Sequence, residues 1–567
     1  MAFSARLDKG LKSKANAFAV RSGTPASPSL TCGTGVMSKP MRYVKTVIVN
    51  PPNPPGYVSN KDSMGGFGQL YPKGAPPFPA LDIPYLAAFL LERQLPVEVI
   101  EAGALGLSTA SLCRRLQADP NASGALIAVR TSLPTIDWDL QICRQLKQQC
   151  APGAVALFGA AVPSLLRRIE ADDVVDYAVM GEPDATVSEL MMDRPPDQIP
   201  GLLYRKAGGW ARTAIRTFER DLDSLPFPRW ELLPHDRYVI PKSSTSGHLR
   251  FLPMLTSRGC PYGCSYCPYP VGQGLKWRFR SPLNVVDEME HLVRQLGVEH
   301  ILFRDPMFSL QQARVVQICE EILRRGLRVQ WKCETRVDCL DEATIAIMAR
   351  AGCTGVNFGV ESTDPGIQQG VHRKPILKEE FVEKVEICRK HHIATFAFFV
   401  VGLPGDTVET ILSSIEFAVD VRANWTQFSV ATPFAGTPMH DWAVRQGFVA
   451  PDFYRIISAH DGSPGNEHLR PRDIERLYRF ARFLQDNLIN RRGILKNETR
   501  RDWGYRVARS ATDIVMHAAA ALMVRAGRWF FIRTITPRPP APRHPDRDPL
   551  PLVLRRSDSS TTASVKA

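Results

Sequence analysis

Ser257 to Pro270 reads SRGCPYGCSYCPYP. Three cysteines, Cys260, Cys264 and Cys267, stand in the order C-x3-C-x2-C directly after a strand-like run, and three thiolates this close imply a metal centre. A closed structural zinc site takes four ligands, and no fourth cysteine or paired histidine follows at finger spacing. Three ligands leave one coordination position vacant. On a 4Fe-4S cluster, which four cysteines normally close, that vacancy opens one iron to an external ligand, an arrangement suited to chemistry rather than to simple electron transfer.

Outward from the cysteines, strand-like runs alternate with helical patterns. Downstream come HILFRDPMF, VQWKCETRVD, GVNFGVES, ATFAFFVVGLPG and TQFSVATPF, each preceded by a stretch such as NVVDEMEHLVRQLG. This rhythm predicts an α/β unit closing into a partial barrel, with chemistry at the carboxyl ends of its strands. Upstream, VIVN, IPYLAAFLLERQ, VEVIEA, ALIAVRTS, WDLQICRQLKQQ, AVALFGA and VVDYAVMGE repeat the βαβ pattern of a doubly wound parallel sheet. Its loops after Asn50, at Arg130–Thr135 and at Phe158–Pro163 should gather at the carboxyl edge, the usual ligand crevice of such sheets. Glu182 is expected to cap the helix that follows it. Residues 201–250, with Pro226, Phe227 and Pro228, read as a linker.

The net charge of +14 is carried by the flanks. Residues 1–45 contribute +7, residues 470–532 contribute +8 and residues 533–567 contribute +4, which leaves −5 for residues 46–469. A phosphate-binding body should itself be basic, so nucleic acid is not expected as the partner. Twelve cysteines without an even framework of spacings argue for a reducing compartment, the cytoplasm. No run of eighteen uncharged apolar residues occurs, so no spanning helix is expected. The Ala/Ser/Gly/Lys-rich first residues lack periodicity and loosely resemble a transit peptide; because Met37 and Met41 stand just before the first strand, a start-site explanation for this leader is favoured.

With its aromatic Tyr266 immediately before the third cysteine, the motif resembles the cluster motif of the radical S-adenosylmethionine (SAM) superfamily. FRDPMF (303–308), WKCETRVD (331–338), GVES (359–362) and GLPGDT (402–407) follow in family order. The resemblance implies that the open iron chelates the amino and carboxylate groups of SAM, whose reductive cleavage gives a 5'-deoxyadenosyl radical. It also implies SAM contacts for Tyr266, Glu334, Arg336, Glu361, Gly402 and Pro404, although a buried Glu–Arg pair is equally a structural ion pair. Arg373 and Lys374 are left without a role. Cys319, Cys333, Cys339, Cys353 and Cys388 share no metal spacing and read as packed thiols.

Residues 45–195 resemble the Rossmann-like cobalamin-binding domain that precedes the radical domain in many members, through NPPNPPG, LDIPYLAAFLLERQ, VRTSLPTIDWDLQ, FGAAVPS and YAVMGEPDAT. Asn50, Thr131, Ser132, Leu133, Gly159 and Ala160 are the candidate cobalamin contacts. D-x-H-x-x-G is absent, so the implied binding is base-off, with no histidine from the protein.

The expected order is thus a disordered leader (1–44), the cobalamin-type domain (45–195), a linker (196–250), a partial (β/α)6 TIM-type barrel (251–470), a helical appendage (471–532) and a disordered tail (533–567). The apolar face of residues 509–532 is expected to pack on the barrel or, alternatively, to lie on an anionic membrane surface. The leading functional reading is a cobalamin-dependent C-methyltransferase acting on an unactivated carbon of a small-molecule or lipid-like substrate, with flavodoxin or ferredoxin as electron donor. A radical cyclase or rearrangement enzyme, a methylthiotransferase and a non-catalytic iron-sulfur or cobalamin sensor are the rivals.

Overall fold

Thr46–Asn50, Leu126–Arg130 and Ala154–Phe158 are short, largely apolar strands that are buried along their whole length, the signature of strands covered on both faces. In the computed structural model, which describes residues 41–241, 248–453, 463–490 and 503–536, they form the centre of a seven-stranded sheet. Its order is 97–101, 46–50, 126–130, 154–158, 177–179, 202–206, 209–212. The first five strands run parallel, and the last two add an antiparallel hairpin. The segment read as a linker from 196 therefore begins by extending this sheet: Ala207 and Gly208 turn between the paired strands Leu202–Lys206 and Gly209–Arg212, a hairpin signal that the surrounding Lys and Arg obscured. Glu182 makes no side-chain cap at its helix.

The second sheet has the order 239–241, 248–254, 300–303, 330–335, 353–361, 394–401, 425–430. Six strands are parallel and the edge strand Val239–Pro241 is antiparallel. The sheet curls as the expected half-barrel, with helices such as Pro282–Arg294, Gln312–Arg324 and Val408–Asp420 on its outside. Along 394–401 burial alternates strictly: Ala397, Phe399 and Val401 pack against the helices, whereas Phe398 and Val400 line cavities on the inner face.

Between the sheets runs a segment from Tyr57 to Pro72, a small hairpin around a tight turn. It covers the carboxyl edge of the first sheet. Leu133 N–H donates to the Phe67 carbonyl (2.8 Å), the buried Lys61 ammonium reaches Asp139 (3.2 Å), and Trp138 Nε1 donates to the Pro52 carbonyl (2.8 Å). Gly68, at φ +91°, lies so close to Ser132 that a Cβ would stand 2.6 Å from the serine Cβ, so only glycine lets the segment settle here.

Pro471–Leu484 and Trp503–Thr534 are helices beyond the barrel. The second buries Ala520, Val524 and Phe531 in the barrel's core. The expectation that no segment is apolar enough to span a membrane is corrected at Ile514–Thr534, which by length and composition alone meets that requirement. Two arginines among apolar residues had broken the run. The leader through residue 40 and the tail from 537 lie outside the described residues.

Candidate functional site

The cysteine segment leaves the strand ending at Met254 and is tied at its base. Ser257–Arg258 pairs antiparallel with Arg278–Phe279, closing the cysteines into a loop. Asp305, from FRDPMF, is fully buried. Its carboxylate accepts Thr256 N–H (2.7 Å), Thr256 Oγ1 (2.5 Å) and Ser257 Oγ (2.6 Å). Burial pushes this carboxyl's pKa up, against Arg314 and the three donors. Gly259 sits at φ +81°, where a Cβ would collide with the Lys276 carbonyl. Cys260 N–H donates to Gly274 (3.2 Å) and Cys267 N–H to Cys264 (3.0 Å), which turns the loop so that all three thiols line one cavity of about 280 Å³. None of the three is in a disulfide.

Tyr266, Glu334, Arg336 and Glu361 line the same cavity. Glu334 Oε1 accepts from Arg304 (2.8 Å). Arg336 forks onto Asp338 at 2.9 and 3.1 Å and stacks on the Tyr262 ring at 4.6 Å. Glu361 adopts φ +66°, strained for a non-glycine residue. Burial pushes its carboxyl up, opposed by Arg373 and Tyr266. Arg373, unassigned from sequence, is buried. It lies 3.7 Å from Glu361, donates to Tyr266 Oη (3.4 Å) and reaches the Gly359 carbonyl. The pointer to it in the sequence was the run Val371–Lys374, which the family also shows.

Gly402 and Pro404, expected to contact SAM, line none of the described cavities. The N–H groups of Gly402 and Leu403 donate to Asp406 (3.0 and 2.9 Å), and Leu403 packs in an apolar cluster that includes Tyr266. The loop braces the wall from behind.

A second cavity, of about 370 Å³, shares Met64, Tyr269, Glu334, Asn357, Phe398 and Ser429 with the first and continues to Asn60, Gln69 and Gln427. A third, of about 100 Å³, lies between the sheets and is lined by Gly159, Ala160, Asp82, Asp184, Arg258 and Tyr269. Asp82 Oδ1 and Asp184 Oδ1 are buried without a hydrogen-bond partner among the described residues, and burial raises the Asp184 pKa to about 6. Glu182 joins the halves through Arg258 and Arg278, each at 3.0 Å. Although burial opposes it, these arginines hold the carboxyl below its usual range. Gly159 and Ala160, two of the candidate cobalamin contacts, line this cavity. Asn50, Thr131, Ser132 and Leu133 do not: they line no described cavity. Asn50 is buried and donates to Glu101 (2.6 Å), Ser132 and Leu133 lie under Gly68 and Phe67 of the 57–72 segment, and Thr131 is buried beside Phe158, to whose carbonyl its N–H donates.

The model of the radical SAM superfamily matches residues 254–418, a span that holds the three cysteines, Glu334, Arg336 and Glu361. Residues 254–418 are a radical SAM domain.

The chain that carries this domain is 26% identical over 412 residues to an uncharacterized methyltransferase of Pyrococcus horikoshii, covering 71% of this chain and 86% of that one. It is 27% identical over 334 residues to the anaerobic magnesium-protoporphyrin IX monomethyl ester cyclase of Cereibacter sphaeroides, spanning 56% of this chain and 52% of the cyclase. Its fold is similar to that of the radical SAM methyltransferase TsrM from Kitasatospora setae, solved with cobalamin and a [4Fe-4S] cluster. The TM-score is 0.56 at 21% identity, over 71% of this chain and 75% of that one. The cobalamin-dependent radical enzyme OxsB, solved with aqua-cobalamin and SAM, gives a TM-score of 0.61 at 14% identity over 85% and 72%.

The donor set of the radical SAM domain fits a cluster better than a single ion. Among the described residues no three His, Cys, Asp or Glu converge as ligands of one metal ion. Three thiols spread along one cavity wall suit a cluster, in which each thiolate takes a different iron.

Proposed function

We propose that this chain is a radical SAM enzyme, a cobalamin-dependent C-methyltransferase acting on an unactivated carbon of a compact small molecule. The observation that carries the reading is the shared wall. Cys260, Cys264 and Cys267 line one cavity with Glu334, Arg336 and Glu361, and Tyr269, two residues beyond the last cysteine, also borders the substrate-sized cavity and the cavity between the sheets.

In this reading the three cysteines would hold the cluster, and Glu334, Arg336, Glu361 and Arg373 would hold the amino-acid and ribose parts of SAM. Gly159, Ala160, Asp82 and Asp184 would face cobalamin; the unpartnered carboxylate oxygens suit the amide N–H groups on a corrin's rim. Asn50 and Thr131–Leu133 would act through the fold of the sheet edge. When bound, the cluster supplies the electron that cleaves the sulfonium, and cobalamin carries the methyl group. The chain's own residues orient and shield: Arg336, locked on Asp338, and Arg373, braced by Gly359, present fixed cations, while Met64, Phe398, Val400 and Phe434 exclude water. The unpaired cysteines and the cluster suit a reducing cytoplasm, and the electron would come from an external donor such as reduced flavodoxin or ferredoxin.

A cavity of about 370 Å³ lies at the lower end for small-molecule sites. Anaerobic reconstitution with iron, sulfide and hydroxocobalamin tests the reading. About four irons and one cobalt per chain, with 5'-deoxyadenosine formed from SAM, support it. Iron without cobalt leaves a radical enzyme but removes methyl transfer through cobalamin, and a Cys264→Ala chain that retains SAM cleavage overturns the assignment of the cysteines.

A further inference from the structure

The helix Trp503–Thr534 has two apolar faces. One is occupied: Ala520, Val524 and Phe531 are buried, Gly527 packs against the Phe480 ring, and Arg528 pairs with Glu416 at 3.1 Å. At 100° per residue, Ile514, Val515, Leu522, Trp529 and Ile532 fall on the opposite side, and their exposures are 67, 66, 68, 62 and 45%. Met523 and Phe530 flank this row at 40 and 44%, and Phe483 of the neighbouring helix adds 47%. A contiguous row of large apolar side chains in water marks an interaction surface.

The charge around the row identifies its occupant. Residues 514–536 contain Arg525, Arg528 and Arg533 and no acidic residue. Arg525 and Arg533 are exposed on the same side as the row, and the Arg533 guanidinium covers the Trp529 ring at 4.2 Å. Arg476 lies over the Phe530 ring at 5.6 Å. Aromatic rings paired with arginines beside an aliphatic stripe suit the headgroup level of a bilayer, where rings lie at the boundary and guanidinium groups meet lipid phosphates. The packed face fixes the orientation: a helix held against Val408–Asp420 of the barrel lies along a membrane and does not cross it.

We propose that the outer face of residues 514–534 docks this protein on an anionic lipid surface. This does not depend on the reaction assigned above, and its test reads binding alone. The full-length chain is centrifuged with extruded vesicles of phosphatidylcholine alone and of phosphatidylcholine with phosphatidylglycerol, beside the variants Leu522→Glu/Trp529→Glu and Arg525→Glu/Arg533→Glu. Circular dichroism and iron content serve as folding controls. The expected result is binding to the anionic vesicles that falls on the order of tenfold in each variant and weakens with salt. If the first pair does not fold, Leu522→Ser takes its place. Wild-type protein that stays in the supernatant, or variants that bind as well as wild type, overturn the proposal. So does a concentration-dependent dimer in sedimentation velocity that the Leu522→Glu/Trp529→Glu chain loses, which would give the face to a second copy.

Discussion

The carboxyl edges of the two sheets are built from the same strand-loop-helix rhythm, yet one is filled by the chain and the other is left open. Over the first, Lys61, Phe67, Gly68 and Trp138 close on Asp139, Leu133, Ser132 and Pro52. Over the second, the cysteine loop stands back and leaves about 280 Å³ before the strand ends. Topology puts a crevice at a strand edge; whether it stays open is decided by a segment distant in sequence.

The largest effect that would break this comparison is at the open edge. Cys264→Ala should lower SAM cleavage by at least about 1000-fold, the loss expected when the group that organises the chemistry is removed, with little change in melting temperature. Cleavage of labelled SAM and iron content check it; activity close to wild type would mean that the open edge is not the reactive one. Next comes the tie beneath it. Asp305→Ala removes the acceptor of three donors and the larger of the two carboxylate contributions that offset the buried Arg314 charge, and should cost about 3 kcal/mol, read from urea unfolding.

Gly68→Ala tests the closed edge. A methyl group at φ +91° against Ser132 should cost about 1–3 kcal/mol and open the 57–72 segment to limited proteolysis, while iron content stays unchanged. Unchanged proteolysis would show that the segment rests only lightly on the sheet.

The smallest effect is in acidity. Burial raises the Glu101 carboxyl, beside Asn50, to about 7, above its ordinary value. Its contribution to stability is therefore full at pH below about 4.5 and is lost as pH rises through about 7. Glu101→Gln keeps the acceptor for Asn50 and Ala104 and should reduce the loss of stability between pH 5 and 8 by on the order of 1–2 kcal/mol, seen in melting curves across that range.

What the sequence made legible follows the same division. The cluster cysteines, Tyr266, Glu334, Arg336 and Glu361 lie in contiguous motifs or at strand ends, and the fold carries them into one cavity as a direct consequence of strand order. Asn50 and Thr131–Leu133 were placed by the same rule, but the rule cannot see the segment that covers them. Gly402 and Pro404 had the look of a ligand-approach loop, whereas Asp406 draws their backbone into a brace. Arg373 was left without a role because a basic pair between helices is ordinarily solvated. Here, burial beside Glu361 and Tyr266 depends on a turn with no pattern of its own. The hairpin 202–212 was hidden because its outward positions are basic.

Tyr269 borders the cysteine cavity, the larger cavity beside it and the seam between the sheets, and its ring rests on Gly65 of the covering segment. A single phenol is thus a party wall for three rooms. Any remodelling of one compartment that moves this ring, whether to admit a bulkier guest or to widen the seam, alters the other two at the same moment.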